Sequence, residues 1–285
     1  MELKPLYALA FGGTMTIVLL LLLRVGQRIL SPGHSVGKDL AKGNSAQRLL
    51  QVGQVLAVFL IAAAAVKNCV EGQDLKRDVL WALAMGVTGL VLLLVSGRAG
   101  IALLLRSRLP AEIERGNIAA GVAAGAHYVA TGIITSRAVS GNDLPSLGLS
   151  LVFFVLAQVT LHLFVSLFRF LTVYDDAEQI QGENLAAAIS YGGVAIALAV
   201  LIGRALEGDF VSWPVSLKGY GVALLFAFAL WPVRQIVVQT LLLGYPFTLR
   251  GGKLDDGIAA ERNEGMGILE AVAYLATALS IARLA

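Results

Sequence analysis

AEIERGNIAAGVAAGAH (Ala111–His127) changes character at one residue: two carboxylates and an arginine precede Asn117, and an apolar run dominated by alanine and glycine follows it. Asparagine ahead of such a run is a preferred helix cap, because its side-chain oxygen accepts from the free N–H groups of the first turn. Acidic groups just before it lie near the positive end of the helix dipole. The phrase therefore predicts a charged surface turn that ends one helix and caps another.

The chain repeats it. KDLAKGNSAQRLL around Asn44, EQIQGENLAAAIS around Asn184 and GIAAERNEGMGIL around Asn263 align with the copy at Asn117, at spacings of 73, 67 and 79 residues. Each copy follows a long apolar segment and opens a shorter one, so the repeating unit is a helical hairpin. Two hairpins make residues 1–141 and two make residues 142–285, read as tandem four-helix units.

The apolar segments need lipid. With 57% hydrophobic and 14% charged residues and a mean hydropathy of +0.78, the composition lies outside the range of soluble domains. Charge-free runs span Pro5 to Leu23, Leu49 to Val66, Val79 to Gly97, Ile118 to Ser136, Leu144 to Phe168 and Leu185 to Gly203. Such lengths cross a hydrocarbon core of about 30 Å as helices. Two more, Gly219 to Leu249 and Gly265 to Ala282, are each broken by one charge, Arg234 and Glu270. The expected fold is all-α and polytopic: eight membrane helices as four hairpins, each span satisfying its own backbone. The first span lacks a small-residue cleavage site behind it and reads as a retained helix.

An even number of crossings separates the four phrases, so they share one face of the membrane. That face and its adjoining helix ends collect fourteen of the 22 lysines and arginines, which favours a cytoplasmic signature face with both termini outside. The net charge of +3 is spread among loops, which argues against nucleic acid. The lone Cys69 excludes an internal disulfide framework.

The phrases contribute acidic turns at Glu112, Glu114, Asp176, Glu178, Asp255 and Asp256, with Glu183 and Glu261 beside them. They read first as cap and dipole partners and second as a shared surface for a cation, a polyamine or a cytoplasmic protein. Their spacing matches no EF-hand, zinc site or phosphate loop, so neither metal nor cofactor is expected. Behind the caps, glycine and alanine recur at intervals of three and four, the pattern by which helices approach closely in lipid. The second helix of each hairpin is therefore the inner one, and leucine-rich partners such as LVLLLVSG face lipid.

Ionisable groups at membrane depth mark pairing or functional sites. Glu270 lies seven residues past Asn263, about 10 Å into the membrane. An antiparallel hairpin brings Arg234 to a similar depth, with Gln235 and Gln239 nearby. Pro232 should distort that helix. Gln51, Tyr191 and Glu270 occupy the same register after their caps; His127 and Tyr128 share the depth of Gln54; His162 stands four residues after Gln158. Glu270, Arg234, Gln235, His127, His162, Gln51 and Tyr191 form the candidate intramembrane polar set. No nucleophile and base can be assigned, so no enzyme is expected.

These residues carry a resemblance. Charged residues before Gly-Asn, an alanine-rich helix after it, and an upstream apolar helix ending in LSPG (Leu30–Gly33) resemble the YjfL-like family of bacterial inner-membrane proteins, a domain-of-unknown-function family. EIERGNIAAG (Glu112–Gly121) carries it best; Asn184 and Asn263 follow Glu and Arg instead of Gly. Members hold a four-helix unit, sometimes in tandem, so the resemblance implies a bacterial inner-membrane protein and leaves its activity open. Two functions stay in view: a channel-like or transport-related protein for a small ion or solute, and a non-transporting scaffold or envelope-stress component recruiting a soluble partner through the acidic turns. A homo-oligomer fits either.

Overall fold

Each apolar segment forms one long helix, and each signature phrase forms a short helix, a turn and the start of the next span. A computed structural model describes residues 3–30, 36–106, 108–208 and 210–284; residues 31–33 of the LSPG stretch lie outside them. The first unit contains α1 (Leu3–Leu30), α2 (Val36–Lys42), α3 (Ser45–Cys69), α4 (Leu75–Leu105), α5 (Leu109–Arg115) and α6 (Ile118–Ala138). The second contains α7 (Leu144–Leu171), α8 (Asp176–Gln181), α9 (Leu185–Ala205), α10 (Trp213–Leu224), α11 (Leu230–Pro232), α12 (Lys253–Ala259) and α13 (Glu264–Leu284). Among the described residues, eight helices are long and apolar enough to cross a membrane.

All four asparagines cap as their positions require. Their side-chain oxygens accept from the backbone N–H of Gln47, Ala120, Ala187 and Met266 at 2.9, 3.1, 3.2 and 3.3 Å. At Asn44 the Gln47 side chain also accepts from the asparagine's own N–H, closing a capping box. The residue before the cap takes a left-handed conformation at Gly116 (φ 99°), which explains the glycine there, whereas at Gly43 a Cβ would overlap the Asp39 carbonyl. Glu183 (φ 63°) and Arg262 (φ 52°) hold the same turn without glycine.

The capped helices form the inner layer. α3 packs on α6, α6 on α9 and α9 on α13, in a row of parallel helices; α1, α4, α7 and α10 lie against them. Small residues make the approach: a Cβ added at Gly121 would overlap the Ala46 backbone, and one at Gly267 the backbone of Ala186. Lipid offers no hydrophobic drive for helix association, so this backbone-to-backbone contact is a main source of cohesion. Leu151, Val155, Val159 and Leu163 on α7 face outward, as the leucine-rich partners should.

Pro232 distorts its span as expected. A 3-10 segment, Leu225–Ala229, precedes it and a π-helical segment, Val233–Leu242, follows it. The wider winding places Arg234, Gln235, Val238 and Gln239 in the interior together.

Candidate functional site

The intramembrane polar residues divide into three separate groups. In the second unit, Arg234 Nε donates to Glu270 Oε1 at 2.5 Å, and Arg234 Nη2 donates to Asp255. Ser190 Oγ donates to Glu270 Oε2 at 2.6 Å and Tyr274 to Oε1 at 3.0 Å. The Val173 N–H donates to the other Asp255 oxygen at 2.7 Å. Arg234 and Glu270 are each 1% exposed and Asp255 is wholly buried. This is a sealed ion-pair lattice in which Arg234 spans two carboxylates, while its Nη1 has no partner among the described residues.

Asp255 therefore departs from its expected place on an exposed turn: α12 tucks it under α13, where Arg234 needs a second carboxylate. Burial raises its carboxyl above the ordinary range, while Arg234 pulls the other way. Asp176 is buried too, with Arg169 Nε 3.2 Å away, and burial lifts its carboxyl to about 7. Glu112 is held below its usual value by hydrogen bonds from Arg115 and Asn117. Arg115 also pairs with Glu183 at 2.6 Å, and Glu178 lies 3.7 Å from Arg106. Asp256 meets Lys253 at 3.4 Å, and Glu114 is exposed. Most acidic turns are thus occupied by arginines and lysines of the same chain.

The second group joins the two units. His127 Nδ1 and the Tyr191 hydroxyl share a hydrogen bond of 3.1 Å, and the His162 ring meets His127 edge-on at 5.8 Å. His162 Nδ1 donates to the Gln158 carbonyl at 2.6 Å. His127 and Tyr191 are enclosed between helices. Gln235 is also fully buried, and neither of its amide atoms has a partner among the described residues.

The third group lies in the first unit and borders open space. Gln27 Nε2 donates to Gln51 Oε1 at 2.7 Å and to Gln54. Gln51 Nε2 donates to Asp39 Oδ2 at 2.8 Å, and the Val36 N–H donates to Gln27 Oε1 at 2.8 Å. These amides line a cleft of about 490 Å³ beside α2 and α5, together with Tyr128, Arg98 and Glu114. Arg98 Nη1 donates to the Leu30 carbonyl at 2.5 Å. The candidate set contained Gln51; Gln27, Asp39 and Arg98 join it only in three dimensions. A signal was present in the shared register of Gln47, Gln51 and Gln54, one amide-rich face on α3.

A family model described as Domain of Unknown Function (DUF350) matches residues 1–139 and again residues 142–284. The chain belongs to that family. It is also 27% identical over 141 residues to a UPF0719 transmembrane protein of Aquifex aeolicus (strain VF5), which covers 49% of this chain and 52% of the relative. The chain thus spans about half the length of that relative. No solved structure matches.

The two DUF350 copies have diverged at equivalent places. Tyr128 and Tyr274 each stand eleven residues after a cap, and each has an arginine of the preceding span at its site: Arg98 borders the cleft with Tyr128, and Arg234 shares Glu270 with Tyr274. The same register places Ala124 opposite Glu270. Anchored on Ile113 and Ile258, whose carbonyls accept from the Asn44 and Asn184 side chains, it places Pro110 opposite Asp255. The second copy fills its arginine site with two carboxylates; the first has alanine and proline there, and Pro110 lines the cleft.

Proposed function

We propose that this DUF350 protein binds a small polar solute in the cleft of its first unit and serves in the transport of that solute, with the signature face toward the cytoplasm. The observation that carries the reading is the divergence of the units: one arginine–tyrosine site is closed by Glu270 and Asp255, while its counterpart borders a cleft lined by amides, Asp39 and Arg98. A cleft of about 490 Å³ is in the size range of small-molecule sites. Amides offer donors and acceptors together, and Arg98 with Asp39 adds both charges, so a zwitterion of amino-acid size suits the lining. The fourteen-to-eight distribution of basic residues supports the orientation.

The test is ligand-induced thermal stabilisation of the purified chain, using zwitterionic amino acids, putrescine and inorganic phosphate as probes. A zwitterion is expected to raise the melting temperature of the parent and of Glu270→Gln, but not of Gln54→Leu or Arg98→Leu. Absence of a shift with every probe overturns the proposal.

One observation favours the scaffold instead. Glu270, Arg234 and His127 are sealed in helix contacts, where they serve cohesion rather than passage. On that reading, charge reversal at exposed Glu114 and Asp256 abolishes recovery of a soluble partner.

A further inference from the structure

The four hairpins are joined by one repeated latch, and among the described residues it is unfilled at the first short helix and at the last cap. Asn44 Nδ2 donates to the carbonyls of Ile113 and Glu114, at 2.9 and 3.0 Å, in the last turn of α5. Asn117 Nδ2 donates to Ile180 and Gln181 of α8 at 2.8 and 3.4 Å, and Asn184 Nδ2 to Ile258 and Ala259 of α12 at 2.8 and 3.3 Å. Each cap thus uses its oxygen on its own helix and its amide nitrogen on the next hairpin. Each short helix after the first rests on two inner helices: α5 on α3 and α6, α8 on α6 and α9, α12 on α9 and α13.

Asn263 is the fourth cap. Its oxygen accepts from Met266, its side chain is exposed, and its Nδ2 has no acceptor among the described residues. At the other end, α2 rests on α3, and the carbonyls equivalent to Ile113 and Glu114 belong to Leu40 and Ala41, both exposed residues. Among the described residues the latch therefore has no acceptor at Asn263 and no donor at α2, and each end has what the other needs.

We propose that the occupant of both ends is a second copy of this chain, docked head to tail with its α2 and α3 against α13 of the first. The surfaces carry matching features. Glu261 and Glu264 are exposed around Asn263, and Lys42 and Arg48 are exposed around α2 and the start of α3. At two of the three inner joints, the second position of one helix (Ala46, Ala186) meets the fourth position of the next (Gly121, Gly267). At the open joint the second position is Gly265 and the fourth is Arg48, a smaller residue facing a larger one. Val52 and Val272 stand where Gly53 meets Gly125 and Gly193 meets Ala271, so this joint is wider in mid-membrane and held at its signature end. A head-to-tail contact repeats: it closes into a ring or continues as a row.

Co-reconstitution in phosphatidylethanolamine–phosphatidylglycerol vesicles tests the contact. Two differently tagged chains in a Cys69→Ser background carry Gly265→Cys and Arg48→Cys respectively. Oxidation is expected to link the two different chains and to leave each variant alone unlinked. Linking of either variant to itself, or no linking above a Leu163→Cys control on outward-facing α7, overturns the proposal. Native mass measurement of the unmodified chain from lipid nanodiscs provides the second readout. Multiples of 30.0 kDa are expected, with the association constant reduced about fivefold in Asn263→Leu, the loss of one interface hydrogen bond. A lone 30.0 kDa species across the concentration range contradicts it.

Discussion

Glu270 and Arg234 show how far single residues can be read in advance. Each is the only charge in its apolar run, and lipid makes an unpaired charge costly, so their pairing follows from register alone. Removing one partner of a buried pair costs about 3–5 kcal/mol. Glu270→Ala should lower stability on that scale in detergent unfolding, whereas Glu270→Gln, which retains a partner for Ser190 and Tyr274, should lose much less. Asp255 and Asp176 were not readable in this way. Both sit in turns that look like solvated surface, and only the packing of α12 and α8 buries them. Asp176 gives a pH signature. Its carboxyl holds a proton up to about pH 7 in the folded chain and releases it near pH 4 when unfolded. The folded state therefore binds more protons between those values, and stability falls as pH rises through that window, by at most about 1.4 kcal/mol per pH unit. Asp176→Asn should flatten the slope between pH 4 and 7 in thermal unfolding.

The helix caps are legible because capping is local: asparagine, the residue before it and the first turn after it lie within a few positions of one another. What those same asparagines do with their amide nitrogens is not, since Asn44, Asn117 and Asn184 reach acceptors about seventy residues away. Local reading also explains a departure between the copies. In three of the four copies the residue before the cap is left-handed; Gly116 takes that conformation freely, and Arg262 takes it against the clash of its Cβ with the backbone. Arg262→Gly should raise stability by about 0.5–1 kcal/mol, net of the extra freedom glycine has when unfolded, as read from the melting temperature. Pro232 announced a distorted span, but the π-helical winding that brings Arg234, Gln235 and Gln239 inward depends on partners that only α12 and α13 supply.

Across the molecule, parity and composition place eight helices and one signature face, and the small-residue spacing identifies which helices form the inner row. The cleft was hidden because its walls come from all six helices of the first unit together, and Gln27 and Arg98 look like ordinary helix-end polar residues. The second unit holds its arginine between two carboxylates, and on the proposed function the first unit is the one that holds a solute. Uptake of labelled zwitterionic amino acids into proteoliposomes separates these roles within one assay. Accumulation above empty vesicles is predicted for the parent and for Glu270→Gln, and its loss for a folded Gln54→Leu. Accumulation that survives Gln54→Leu, or none above empty vesicles with the parent, would contradict it.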